Sequence, residues 1–223
     1  MSVVDCGVLL LTLQSQSFIF KHMQPFVHLH VHSQYSILDG QASIPALVDK
    51  AIANGMRGIA ITDHGNMFGI KEFFNYVEKK NGDVNGLIKS LKKELDNEET
   101  APERSAAIPA EIEEAKKKLF IPIFGCEMYV SLGAMTEHID KKDTGRHLVV
   151  LAKNEKGYHN LVKLVSLAWT DGFYSHPRID KEHLEKYHEG LIICSACLGG
   201  EIPRLIQAEE IEKECRSRWS PYH

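Results

Sequence analysis

Apolar positions along the chain switch repeatedly between strand-like runs and helical stripes. Pro25, Phe26, Val27, Leu29 and Val31 mark a short buried strand in which His28, His30 and His32 alternate with apolar residues. Side chains two apart share a strand face, so these histidines form one row. Ser43–Asn54 spaces Ile44, Leu47, Val48, Ala51 and Ile52 as a helix does, with a serine cap, an early Pro45 and a closing Gly55. Arg57–Ile61 is a branched apolar run of strand length, ended by Gly65. Met67–Lys80 predicts a helix carrying Ile70, Phe73, Phe74 and Val77 on one core-facing stripe. Strands are predicted over Leu119–Val130, His147–Ala152 and Leu191–Ser195, and helices over Asn154–Thr170 and after Gly199-Gly200. This alternation predicts an α/β fold on a parallel sheet, open or closed.

Between Asn81 and Lys118 the character changes. Leu87, Leu91 and Leu95 recur every four residues, and Ile108, Ile112 and Ala115 nearly do, among lysines and glutamates of both signs. With a break over Asn97–Pro109, residues 81–118 predict a charged helical hairpin inserted before the Phe120 strand. A solvated appendage is the first reading, and a clamp on another subunit or DNA the second.

Composition narrows the function classes. The 223 residues are 43% hydrophobic, enough for a substantial single core. With 26 basic and 30 acidic residues and a net charge of −4, the chain lacks the basic stripe of a self-sufficient nucleic-acid binder. Five irregularly spaced cysteines argue against a disulfide framework. No apolar run reaches the roughly 18 residues of a membrane span. Val8–Phe20 is interrupted by Gln14-Ser-Gln-Ser17 and preceded by Asp5 rather than by a basic residue, so a secretory signal is not expected. A reducing, cytoplasmic location follows.

Several segments carry candidate chemistry. Imidazoles at i and i+2 on a strand can reach one metal ion, though histidines that merely face water are the simpler reading of the repeat alone. In Thr62-Asp-His-Gly-Asn66, Asp63 and His64 stand where a buried strand leaves its sheet. Asp beside His lets one residue bind a metal while the other orients it from behind; a turn Asp capping a helix is the alternative. In Phe124-Gly-Cys-Glu-Met128, Glu127 ends an apolar strand and can bind metal or act as a base, while Cys126 packs as a small hydrophobe. Cys194-Ser-Ala-Cys197 fits a redox pair or a metal-binding thiolate. His159, His176, His183 and His188 suggest ordinary surface or core roles.

Taken in order, these motifs resemble a known family. His30-x-His32-Ser33 with Asp39-Gly40, followed by Thr62-Asp-His-Gly-Asn66, is similar to the PHP (polymerase and histidinol phosphatase) domain. The wording of His147-Leu-Val-Val-Leu-Ala152, Gly157-Tyr-His-Asn-Leu161, Gly172-Phe-Tyr174, Pro177-Arg-Ile-Asp180 and Ser195-Ala-Cys-Leu-Gly-Gly-Glu201 extends the likeness. It resembles the PHP domain at the N-terminus of bacterial DNA polymerase III alpha subunits, from about Pro25 to Gln207 and interrupted by the 81–118 insertion. Residues 1–22 lie outside the likeness, and an upstream-extended start is expected there; residues 23–223 are expected to form a partial PHP domain.

The resemblance implies a distorted (β/α) barrel whose metal ligands here are His30, His32, Asp39, His64, Glu127, His147 and Cys197, with Asp63 behind them. His147 opens its predicted strand, at odds with a site built on the carboxyl ends of parallel strands. Imidazole, carboxylate and thiolate together favour zinc, manganese or iron over magnesium, and seven ligands imply about two or three divalent ions. Such a cluster suits phosphoester hydrolysis.

In the family's polymerase-attached members the resemblance implies 3′–5′ exonuclease proofreading within a DNA-directed DNA polymerase. The implied partners are DNA and other holoenzyme subunits. The alternative is a scaffold that stabilises the polymerase and docks a proofreading exonuclease; a free-standing phosphatase acting on a small ester is more remote. The family's late Asn-Asp-x-His motif and the polymerase palm do not occur in this sequence. A barrel incomplete at its C-terminus, in a truncated or frame-disrupted product with feeble phosphoesterase activity, is therefore expected.

Overall fold

The computed structural model describes residues 26–138 and 144–207. The expectations for residues 1–22 and for the C-terminal end lie outside them. Along the chain run α1 (Ile44–Ala53), β1 (Gly58–Ile61), α2 (Ile70–Lys80), α3 (Gly82–Leu95), α4 (Pro102–Lys116), β2 (Ile121–Val130) and β3 (Arg146–Ala152). There follow α5 (Glu155–Thr170), β4 (Phe173–Tyr174), β5 (His176–Ile179), α6 (Lys181–Lys186), β6 (Leu191–Ser195) and α7 (Glu201–Gln207). The α/β class expected from the sequence holds. No helix among the described residues is long and apolar enough to cross a membrane.

The long strand β2 organises the sheet, which is mixed rather than parallel. Its first half pairs parallel with β1, and its end pairs parallel with β5. On its other edge β3 runs antiparallel, and β6 antiparallel to β3. The sheet order is β4-β5-β2-β3-β6, with β1 also on β2, so the described strands form no closed ring. Strand parity divides the side chains. Ile59 and Ile61 face α1 and α2, packing with Ile44, Val48, Phe73 and Val77. Cys126, Met128 and Val150 face α5, packing with Leu161, Leu164 and Ala168. The intervening Ala60, Val149 and Leu151 make a smaller apolar layer on the opposite face, with Cys194 against it. Glu127, between Cys126 and Met128, falls on that inner face.

The helix ends follow their local chemistry. The Ser43 side chain accepts from the Ala46 amide to cap α1, and Asn154 accepts from Gly157 to cap α5. In α2, Ile70, Phe73 and Val77 are buried as expected, whereas Phe74 is 41% exposed and rests against Phe124 and Lys71. The charged hairpin is present as α3 and α4, with its own core of Leu91, Ile108 and Ile112. Of the expected leucine stripe only Leu91 is buried; Leu87 and Leu95 are exposed. The helix break falls between Leu95 and Pro102, shorter than expected, because Pro109 is accommodated inside α4. At the neck the buried Asn81 amide accepts from the Phe120 N–H and donates to the Phe120 carbonyl, both at 2.9 Å.

The expected strand over the first histidines does not form. The Ala60 amide bonds the His28 carbonyl and the Thr62 amide bonds the Val31 carbonyl, so three steps on this segment oppose two on β1. That extra residue behaves as a bulge, swinging the histidines out of a common row. His28 turns away against Phe26, with ring centroids 4.8 Å apart, and is exposed.

Candidate metal centre

The segment after the bulge folds back as a tight loop. The Ser36 amide bonds the Ser33 carbonyl, and the Gly40 amide bonds the Ser36 carbonyl. A Cβ on Gly40 would lie 1.9 Å from the Ser33 oxygen, so only glycine allows the return. The loop aims Asp39 at β1, where its Oδ2 lies 2.9 Å from His64 Nε2. His64 leaves β1 just before Gly65, whose φ of +60° and contact with Pro177 likewise require glycine.

These elements converge on the Glu127 carboxylate, which is fully buried. Its Oε2 lies 3.2 Å from His30 Nε2, 2.9 Å from His32 Nε2 and 3.0 Å from His64 Nδ1. Its Oε1 lies 2.9 Å from His147 Nδ1 and 3.6 Å from Cys197 Sγ. Cys197 Sγ is also 3.4 Å from His147 Nδ1 and accepts from the Gly199 amide. His147 opens β3, and because β3 is antiparallel its first residues lie beside the end of β2. The conflict noted in the sequence thus comes from assuming a parallel sheet.

A buried acid ringed by imidazoles invites a test of what the group is built to hold. Glu127 Oε2 and His64 Nδ1 are buried and make no aligned hydrogen bond, although they lie within 3.0 Å of one another. Unsatisfied buried polar atoms are costly, and a shared cation would satisfy oxygen and nitrogen together. Three overlapping sets have ligand atoms close enough for one ion: His30, His32 and Glu127; His32, Asp39 and His64; and His64, Glu127 and His147. This donor chemistry fits divalent transition metals.

The electrostatics follow from the same contacts. Burial alone would raise the Glu127 carboxyl, but His147, His30, His32 and His64 outweigh it and hold the group well below the ordinary carboxylate range. Glu127, against the opposing effect of burial and with help from Asp39, raises the His64 imidazole above its ordinary value. Burial, reinforced by Glu127, pushes the Tyr129 phenol up to about 12.

Asp63 sits behind the site, nearly fully buried. Its carboxylate accepts from the Ser33 amide at 2.6 Å, the Ser33 hydroxyl at 2.7 Å and the Ser36 hydroxyl at 2.8 Å. The Ser36 oxygen lies 2.9 Å from His32 Nδ1 and accepts from the His64 amide. Asp63 therefore fixes His32 through Ser36, an arrangement common behind metal-binding histidines. Ser33 stands in the His30-x-His32-Ser33 motif without a role that spacing reveals, and Ser36 is not marked by any motif; the fold-back of the 33–40 loop brings both here.

Tyr129, for which the sequence suggests no role, and His176, for which it suggests an ordinary surface or core one, are further neighbours. The Tyr129 ring lies 5.0 Å from that of His147 and 4.6 Å from that of His176. His176 reaches this position because β5 starts beside the end of β2, a pairing that motif spacing does not reveal. Cys126 is buried against the Asp63 carbonyl, and the free thiols of Cys194 and Cys197 point to different surroundings. His159 and His188 stay exposed, and His183 lies against Asp180.

The profile of the PHP domain family matches residues 28–223. The chain belongs to the PHP domain family. This PHP domain is 44% identical over 192 residues to the DNA polymerase III subunit alpha of Borreliella burgdorferi, covering 84% of the chain and 13% of that protein. It is 39% identical over 199 residues to the subunit of the same name from Treponema pallidum, covering 86% of the chain and 14% of the relative. With the Chlamydia muridarum subunit it shares 37% identity over 196 residues, covering 85% and 12%. The PHP domain chain thus spans a small part, 12% to 14%, of these relatives' length.

Proposed function

We propose that this PHP domain is a module of a bacterial replicative DNA polymerase and that its site is a metal-dependent phosphodiesterase releasing nucleotides from a 3′ DNA end. The observation that carries the reading is the gathering of four imidazoles and the Cys197 thiol around one buried carboxylate, with Asp39 closing the group through His64. Kinship to DNA polymerase III alpha subunits supports DNA as substrate and other replication subunits as partners. A cytoplasmic setting accords with the free thiols of Cys126, Cys194 and Cys197.

His30, His32, His64, Glu127, His147, Asp39 and Cys197 are the residues that would hold about two or three divalent ions. When bound, such ions supply Lewis acidity, lowering the pKa of water and neutralising phosphate charge. The chain's own residues prepare the place. Glu127 holds a fixed negative charge between the imidazoles. Asp63, through Ser36, keeps His32 turned inward. Asp39 holds His64 Nε2 from the solvent side, and Ala60, Val149 and Leu151 pack as an apolar layer on the same inner face as Glu127.

The test is metal-dependent release of mononucleotides from 3′-labelled single-stranded DNA by the chain and by its Glu127→Gln variant, with manganese or zinc added. Release by the parent chain alone supports the proposal. Metal retained without any release would reassign the site to a structural role.

A further inference from the structure

Three exposed aromatic rings stand beside the turn that follows His64. Phe68 is 60% exposed, Trp169 42% and Phe173 48%. Their centroids run in series, 5.9 Å from Phe68 to Trp169 with the planes tilted by 40°, and 5.5 Å from Trp169 to Phe173 with the planes nearly parallel at 22°. The row is anchored to the site itself, because the Trp169 indole N–H donates at 2.8 Å to the carbonyl of Gly65, the residue after His64. Phe68 sits on the same β1–α2 connection, its amide bonded to the Asn66 side chain.

Large apolar rings left in water beside a polar centre call for a ligand with flat faces of its own. Charge narrows the choice. A mostly apolar groove of about 610 Å³ starts at Phe68 and carries Lys71, which lies over the Phe74 ring, together with Lys153 and one acid, Glu155; among the described residues neither lysine forms a salt bridge with a carboxylate. Aromatic faces beside two lysines that form no salt bridge, next to a phosphodiester-cleaving centre, match the two halves of a nucleotide. An uncharged apolar peptide would make use of the rings and the groove's apolar lining but not of Lys71 and Lys153.

We propose that Phe68, Trp169 and Phe173 form a stacking platform for the bases of single-stranded nucleic acid, with Lys71 and Lys153 receiving its backbone as the strand end enters the metal centre. The proposal rests on the phosphodiesterase reading above. It assigns substrate selection to residues that hold no metal, so strands with unpaired, unstacked bases are favoured over duplex.

The experiment titrates the full chain, carrying Trp219→Phe so that Trp169 is the only indole, with a ten-nucleotide oligothymidylate in excess EDTA. Saturable quenching of Trp169 emission is expected. Phe68→Ala and Phe173→Ala should each weaken binding by roughly five- to a hundredfold, and Phe68→Tyr should restore it. An abasic strand of equal length should bind as weakly as the alanine variants leave the oligothymidylate. Equal affinities for the parent chain and both alanine variants, or for abasic and thymine strands, would overturn the platform, as would no quenching at all. Hydrolysis of bis(p-nitrophenyl) phosphate with manganese tests the underlying reading separately. If the parent chain shows none while ring-dependent stacking persists, the phosphodiesterase reading fails and the platform stands.

Discussion

His147 Nδ1 lies 2.9 Å from Glu127 Oε1 although the two residues occupy different register positions: Glu127 pairs with Val149, and His147 with Tyr129. Residues two apart on a strand share a face, so Glu127, Tyr129, His147 and Val149 all project to the inner side. The imidazole reaches back diagonally across the ladder to the acid. The antiparallel β2–β3 pair thus contributes a residue from the beginning of one strand and another from near the end of its neighbour.

Glu127→Gln should disable the site out of proportion to its size. It removes the one buried negative charge that faces four imidazoles while keeping the shape. We expect divalent-ion affinity to fall by at least about a hundredfold, beyond the ~10–100-fold typical of losing a group that only supports ligands. Competition against a chromophoric chelator measures it; unchanged affinity would show that Glu127 is not a ligand.

Ser36→Ala separates positioning from ligation. The hydroxyl joins Asp63 to His32 and accepts from the His64 amide, yet touches no other proposed ligand. Metal affinity should drop ~10–100-fold, with a folding cost of about 1–3 kcal/mol for the buried groups left unpaired. Chelator competition and thermal unfolding together test this. A folding loss with full metal affinity would mean that the relay serves only the loop.

The features legible in the sequence are those whose periodicity has one structural solution. α1, with its serine cap and Pro45, and α5, with Asn154, fall within a residue or two of expectation. The His-x-His pair, Asp39, His64, Glu127, His147 and Cys197 are brought together around one carboxylate. Long-range pairing was not legible. Strand direction is invisible in a run such as His147–Ala152, so the antiparallel β3 went unforeseen. The alternation of His28, His30 and His32 looked like a strand, but one extra residue against β1 broke the row and left His28 outside. Trp169 was legible as a helix residue, whereas its bond to Gly65 depends on α5 crossing the rim.

The charged hairpin should be dispensable while its neck is not. Replacing residues 84–117 with a short Gly/Ser linker removes a core that is separate from the sheet, and loop-closure cost varies slowly with length. The melting temperature should shift by no more than a few degrees. Asn81→Ala, which strips both bonds to Phe120, should cost about 1–3 kcal/mol. Collapse on deletion of the hairpin would show that it packs into the main core.

Stability without metal should peak in mildly acidic solution. The lowered Glu127 carboxyl contributes stability that is present above its ordinary value of 4.5 and is lost as pH falls well below it. The raised His64 imidazole contributes fully below 6.5 and loses its contribution as pH rises through the folded value. Metal ligation needs neutral imidazoles, so stabilisation by added zinc or manganese should grow over that same rise. Thermal unfolding from pH 2 to pH 9, with chelator and with metal, checks both slopes. Parallel curves would refute the link between the histidines and the metal.

The central claim is that the cluster around Glu127 is a metal centre, and the most direct measurement is elemental analysis of the chain purified without chelator or affinity tag. We expect bound zinc, manganese or iron, about two or three ions at saturation, with His32→Ala losing at least one and Glu127→Ala losing most. A chain that is folded by circular dichroism yet carries no transition metal, even after equilibration with excess zinc and manganese, would contradict the account.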